Sequence, residues 1–214
     1  MTRPRFDSGW VEVIVGCMFS GKTEELIKQI QRVGFAKQKW QAFKPQIDAR
    51  YSVTDVCSHD QTKLKCHPIA EAWEIPQLVE RTTSVVAIDE GQFFDETLIE
   101  VTQSLAASGK RVIIAGLDTD WRGRPFGPMP QLMALAEVVR KQYAICMVCG
   151  NEATRTQRLV AAQDDILVGS TDSYEARCRQ HFDPELSVRL QTGKTSLNIE
   201  TPDAQERLLL SRDL

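Results

Sequence analysis

GCMFSGKT, residues 16–23, follows the apolar run WVEVIV (10–15) and leads into TEELIKQIQRVGF (23–35). Two glycines five positions apart, then Lys and Thr, form the pattern in which a backbone loop wraps nucleotide phosphates. Gly16 and Gly21 let the chain turn close to an anion, and the backbone of Cys17, Met18, Phe19 and Ser20 offers N–H groups to it. Lys22 brings a positive charge to the β and γ groups, and the Thr23 hydroxyl can ligate Mg²⁺. In the segment that follows, Leu26, Ile27, Ile30 and Val33 recur at helical spacing. The order strand, loop, helix is the context that the motif requires.

Farther out, WQAFKP (40–45), SVVAIDE (84–90), RVIIAGLD (111–118) and YAICMV (143–148) read as strands. Helical patterns over 70–81, 97–110 and 131–141 separate them, and the stretch from 46 to 70 is polar and irregular, a functional or disordered loop. The alternation predicts an α/β chain with a P-loop NTPase-type parallel sheet flanked by helices. SVVAIDE stops abruptly in two acids. An acid at the end of a neighbouring strand completes the Mg²⁺ site, which suits Asp89. Glu90 is then a second carboxylate beside the γ-phosphate, able to take a proton from an attacking hydroxyl or water. These residues leave the acceptor open. Water would make an NTPase, and a hydroxyl would make a small-molecule kinase with a second pocket and a lid.

TDWRGRPFGPMP (119–130) is a Gly- and Pro-rich loop of the kind a closing lid needs. Arg122 and Arg124 within it face either developing charge or solvent, and Phe93, Trp121 and Phe126 read equally as core. Six cysteines are present. In a reducing compartment, clustered cysteines point to metal, and Cys146-x-x-Cys149 with Cys178-x-x-His181 supplies two paired turns for a tetrahedral, structural zinc. The 28 residues between Cys149 and Cys178 require a hairpin or loop to fill them. Cys17, Cys57 and Cys66 show no such clustering.

The 214 residues carry a net charge of −3 with 42% apolar and 26% charged residues, the balance of an ordinary globular protein. That charge lends no support to a nucleic-acid binder, and the apolar runs are too short for a signal peptide or a membrane span. A cytoplasmic protein without a membrane partner is the expectation. A P-loop ATPase acting on nucleic acid would need a basic face and further motor motifs, while a zinc-stapled regulator without transfer activity would leave Glu90 unexplained.

The motifs, taken in order over residues 11 to 182, resemble the zinc-containing, type II thymidine kinase family. They are MFSGKTEEL (18–26), DARYS (48–52) with SHD (58–60), DEGQFF (89–94), GLDTDWRGRPFG (116–127), TRTQRL (154–159) and SYEARCRQH (173–181). The resemblance implies phosphorylation of the thymidine 5′-hydroxyl by ATP with Mg²⁺, with deoxyuridine a possible second substrate. It also implies a homotetramer, feedback by thymidine triphosphate (dTTP) and no nucleic-acid partner. Glu90 takes the family's general-base position. Gly16 to Thr23, Asp89 and Gln92 take the ATP and Mg²⁺ positions. Met18, Phe93, Leu117, Trp121, Phe126, Thr156 and Tyr174 match the nucleoside pocket, with Trp121 where the family usually has Phe. A lasso anchored by the zinc would enclose the base, although VAAQDDILVG (160–169) within it carries unexpected acids. The expected division is a catalytic domain over 1–142, a zinc-binding lasso domain over 143–182 and a flexible tail over 183–214.

Overall fold

The computed structural model describes residues 8–46, 55–57, 63–161 and 173–192. Strand β1 (Trp10–Val15) runs into the phosphate-loop segment, and helix α1 (Lys22–Phe35) leaves it. Then come β2 (Trp40–Pro45), the short pair β3 (Asp55–Cys57) and β4 (Lys63–Lys65), β5 (His67–Ile69), α2 (Ile75–Leu78), β6 (Val85–Ile88), α3 (Thr97–Ala107) and β7 (Arg111–Gly116). Helix α4 (Met129–Leu135) leads to β8 (Val138–Lys141). A smaller C-terminal part holds β9 (Ala144–Ile145), β10 (Glu152–Ala153), β11 (Arg155–Arg158), β12 (Tyr174–Arg177) and α5 (Leu186–Gln191).

Six strands form one sheet in the order β5-β2-β6-β7-β1-β8, and its pairings are parallel. Parallel strands need crossovers that cover both faces, so the central strands are apolar on both sides. Their alternation assigns each side chain. Val11, Val13 and Val15 of β1 meet Val112 and Ile114 of β7 and Val86 and Ile88 of β6 under α3. Ile14, Ile113, Ala115, Val85 and Ala87 point the other way, against Leu26, Ile27, Ile30 and Val33 of α1. Burying one such side chain is worth roughly 1.5–3 kcal/mol, so this double-sided core fixes the sheet's register. Glu12 breaks the apolar pattern. It is buried with a salt bridge of 2.8 Å to Arg111, whose guanidinium also donates to Gln29 of α1. A buried charge is tolerated there because it is paired and hydrogen-bonded.

Several expectations need correction. Residues 138–141 form no helix. After α4 the chain turns extended at Ala136, and β8 adds to the open side of β1, with Val138 opposite Glu12 and the Glu137 carboxylate accepting from Val11 N at 2.7 Å. The stretch from 46 to 70 contains β5, paired to β2 through Phe43 and His67. The helix expected over 70–81 shrinks to a single 3₁₀ turn (72–74) and α2. YAICMV yields a two-residue strand, because the backbone turns back at Cys146, with Gly150 N donating to Cys146 O at 2.9 Å. The segment expected to be flexible from 183 instead holds α5. Asp183 exchanges two hydrogen bonds with the Gln157 amide, at 2.8 and 2.9 Å, and Ser187 donates to Val160 O at 2.6 Å. Residues 193–214, the 48–52 and 58–60 motifs and most of the 160–169 segment lie outside the described residues.

Candidate active site

Parallel strands end on one edge, and that edge gathers the chemistry. The phosphate loop leaves β1 at Gly16, where a β-carbon would stand 2.5 Å from Gln142 O and 2.6 Å from Ser20 Oγ. That crowding is why glycine occupies the first position. Ser20 Oγ donates to Cys17 O at 2.8 Å and Lys22 Nζ to the same oxygen at 2.7 Å, so the loop is closed on itself from inside. Burial pushes the Lys22 ammonium below its ordinary range, and the charges of Glu90, Asp89 and Asp118 pull it back up. An amine in that position gains from any further negative charge beside it, which is what a nucleotide phosphate brings.

Asp89 caps the end of β6. That strand is not the neighbour of β1, contrary to the sequence expectation, since β7 lies between them. The gap closes because α1 packs across β7, which ends in the small residues Ala115 and Gly116. Thr23 Oγ1 thereby reaches Asp89 Oδ2 at 3.3 Å. A hydroxyl and a carboxylate side by side, at the foot of a phosphate loop, form an all-oxygen donor pair suited to Mg²⁺. Glu90 follows with φ of 53°, a left-handed backbone uncommon for a residue with a side chain. Its N–H donates to Asp89 Oδ1 at 3.0 Å, and the Gln92 amide donates to its carboxylate.

Of the expected pocket residues, Phe93 and Phe126 meet edge to face with centroids 5.8 Å apart, bringing the lid loop down to the end of β6. Met18 and Thr156 also meet, since Met18 N donates to Thr156 Oγ1 at 3.0 Å. Trp121 is 8% exposed, and the Arg122 guanidinium stacks on it at 4.1 Å. Arg122 is thus an aromatic partner, while Arg124 is exposed. Arg158 went unassigned in the sequence. It is wholly buried, 5.1 Å from the Trp121 ring and 5.9 Å from Tyr174. Asp118 was missed too; it is buried at the start of the lid and bridged to Lys141 at 2.6 Å. Neither carries a local signal, because each depends on a neighbour brought in by the fold.

The donor atoms of Cys146, Cys149, Cys178 and His181 lie within 4.8 Å of one another. Cys178 Sγ is 3.2 Å from His181 Nδ1, Cys146 Sγ is 3.8 Å from the same nitrogen, and Cys149 Sγ is 3.8 Å from Cys178 Sγ. A tetrahedral zinc with arms of about 2.0–2.3 Å spaces its ligands by roughly 3.5–3.8 Å, so this group fits a closed structural site. Desolvation opposes ionisation of the Cys146 thiol, but the N–H groups of Cys178, Val148 and Cys149 overcome it and bring the thiol down to about 6. A thiolate is therefore favoured at Cys146 at neutral pH, whereas at Cys149 the Asn151 N–H is outweighed by burial and by the neighbouring Cys146 and Cys178, which push that thiol up. Between the two Cys pairs, β11 and β12 pair antiparallel within the 28-residue gap that was expected to hold a hairpin or loop.

The family model described as thymidine kinase matches residues 9–182. A thymidine kinase of Bdellovibrio bacteriovorus is 58% identical over 180 residues, spanning 84% of this chain and 88% of that protein. Among solved structures, the ATPase DotB of Legionella pneumophila aligns with a TM-score of 0.42 at 12% identity, over 69% of this chain and 44% of that one. No helix among the described residues is long and apolar enough to cross a membrane.

Proposed function

The chain belongs to the thymidine kinase family, an ATP-dependent nucleoside kinase, and from that premise we propose how its own residues carry the transfer. The loop from Gly16 to Thr23 cradles the ATP phosphates through its N–H groups, and Lys22 turns from Cys17 O towards the β and γ groups. Thr23 and Asp89 hold Mg²⁺, which neutralises charge on the phosphates. Glu90 takes the proton of the thymidine 5′-hydroxyl as that oxygen bonds to the γ-phosphorus. The bond from γ-phosphorus to the bridging oxygen breaks, and ADP leaves. The observation that carries this reading is the position of Glu90, one residue beyond the Thr23–Asp89 pair and within the field of Lys22. Met18, Phe93, Leu117, Trp121, Phe126, Thr156 and Tyr174 enclose the nucleoside beneath the 119–130 lid.

Several finer assignments belong to the same reading. Residues 1–142 act as the catalytic domain, and the zinc-held unit over 143–182 carries the wall of the nucleoside pocket. The enzyme acts in the cytoplasm as a homotetramer, accepts deoxyuridine as well as thymidine, is inhibited by dTTP and has no nucleic-acid partner. Family membership supports these assignments, as do the closeness of the zinc turns to the phosphate loop and a net charge of −3. The test is incubation with Mg-ATP and thymidine, followed by separation of the nucleotides. The wild type is expected to form thymidine monophosphate, and Glu90→Gln to form none while still binding an ATP analogue. Turnover of Glu90→Gln within about tenfold of wild type would rule out the base role, since general-base catalysis contributes about 10²–10⁴.

A further inference from the structure

We infer that residues 183–191, which lie past the end of the family match, are a strap that positions the wall of the nucleoside pocket, with Gln157 and Ser187 as its two fastenings. The inference rests on the pocket assigned to the nucleoside above.

Strand β11 is buried from Thr156 to Arg158, at 3%, 1% and 0% exposure, although successive side chains of a strand point to opposite faces. Two different layers must therefore cover it. Thr156 and Arg158 face the catalytic part, where Thr156 meets Met18 N of the phosphate loop at 3.0 Å and Arg158 lies over the Trp121 ring at 5.1 Å. Gln157 faces the other way and is met by the strap. Its amide oxygen accepts from Asp183 N at 2.8 Å, and its nitrogen donates to Asp183 O at 2.9 Å and to Arg158 O at 3.1 Å. The second fastening lies where the chain leaves β11. Ser187, 2% exposed, donates to Val160 O at 2.6 Å, one residue beyond Leu159, whose N–H donates to Ser173 O at 2.9 Å. The Leu159–Ser173 bond joins the two ends of the segment between them, and the Ser187 bond holds its root.

The strap is itself one unit. The Asp183 carboxylate accepts from Glu185 N at 3.1 Å and pairs with Arg189 of α5, so the turn after His181 and the helix move together. A two-stranded hairpin is marginal by itself and needs a packed face, which the strap supplies behind β11. A wall held in place before the nucleoside arrives costs no ordering when it binds. Loosening that wall weakens nucleoside binding. The Thr156–Met18 bond lies on the opposite face of β11, so the ATP site is spared.

The test compares four proteins: Gln157→Met, which loses the bonds to Asp183; Ser187→Ala, which loses the bond to Val160; a chain ending after Pro184, which loses α5; and a chain ending after Thr192, which keeps it. The readouts are KM for thymidine, kcat and the Kd of a fluorescent ATP analogue. Each point variant is expected to raise KM about 2- to 10-fold, the worth of a lost hydrogen bond, and the chain ending after Pro184 about 10-fold, with kcat and the ATP Kd within about twofold of wild type. The chain ending after Thr192 is expected to match wild type. An unchanged KM in both Gln157→Met and Ser187→Ala would overturn the inference, whether or not the shortened chains fold. An ATP Kd that rises in step with KM would overturn it too, since the strap would then be general packing. So would an equal rise in the chain ending after Thr192, because residues 183–192 would not suffice. A wild type that forms no thymidine monophosphate overturns the nucleoside reading and this inference with it.

Discussion

Gly127 shows how one residue type can be dictated by tertiary contact. Its φ is 49°, and any β-carbon would meet the Gln92 carbonyl oxygen at 2.5 Å. Gly127→Ala must strain the backbone or push the lid away from the 91–93 turn, a cost of about 1–3 kcal/mol. Its Tm is expected to fall by about 2–4 °C per kcal/mol, measured by calorimetry. An unchanged Tm would mean that the loop has room to yield. At this scale the sequence was most informative where chemistry is local. Lys22, Thr23, Asp89 and Glu90 stand in a spacing that phosphate chemistry imposes along the chain, and the fold brings Thr23 and Asp89 to 3.3 Å. Gln92, expected at the nucleotide, has its side chain bonded to the Glu90 carboxylate and to Leu117 N. Arg158 and Asp118 were silent, since a buried charge is explained by Trp121 or Lys141, residues 37 and 23 positions away.

At the scale of elements, strands with strong apolar runs were legible to within two residues, as β1, β2 and β7 show. Within the six-stranded sheet, those that failed lie at its edges. β8 and β5 are three or four residues long, and each exists because a partner strand offers an unpaired side. Short segments of that kind have no periodicity long enough to read. The same scale holds the contact of β10 and β11 with the phosphate loop, where Thr156 of β11 accepts from Met18 N at 3.0 Å and Cys17 Sγ donates to Ala153 O of β10 at 3.4 Å. Thr156→Val keeps the shape and strands a largely buried N–H, a loss of about 1–3 kcal/mol. The Kd for an ATP analogue is therefore expected to rise by up to about tenfold or more, at 1.4 kcal/mol per decade, by fluorescence titration. An unaltered Kd would mean that the loop keeps its shape without β11.

Across the whole molecule, the zinc turns and the phosphate loop share one small core. Cys17 packs with Ala144, Cys146, Ala153 and Ala176, and Phe19, Cys149 and Cys178 lie against them. Metal removal by a chelator is therefore expected to raise amide exchange over 144–158 and 174–181 and also over 16–19, while β6 and β7 stay protected. Loss of protection confined to the zinc turns would show that the two parts are mechanically independent. By itself the sequence determined the α/β class, and it singled out the phosphate-loop pattern, the two acids and the four residues that the fold gathers into a group able to hold a metal. Each of these rests on a spacing within one strand, turn or helix. The tertiary structure alone decided that β7 separates β1 from β6, that β8 is a strand, that residues 183–192 fold back on Gln157 and that the Gln92 amide bridges Glu90 and Leu117 N. Those outcomes depend on contacts between residues distant in the chain, whose energy exists only once the sheet has assembled.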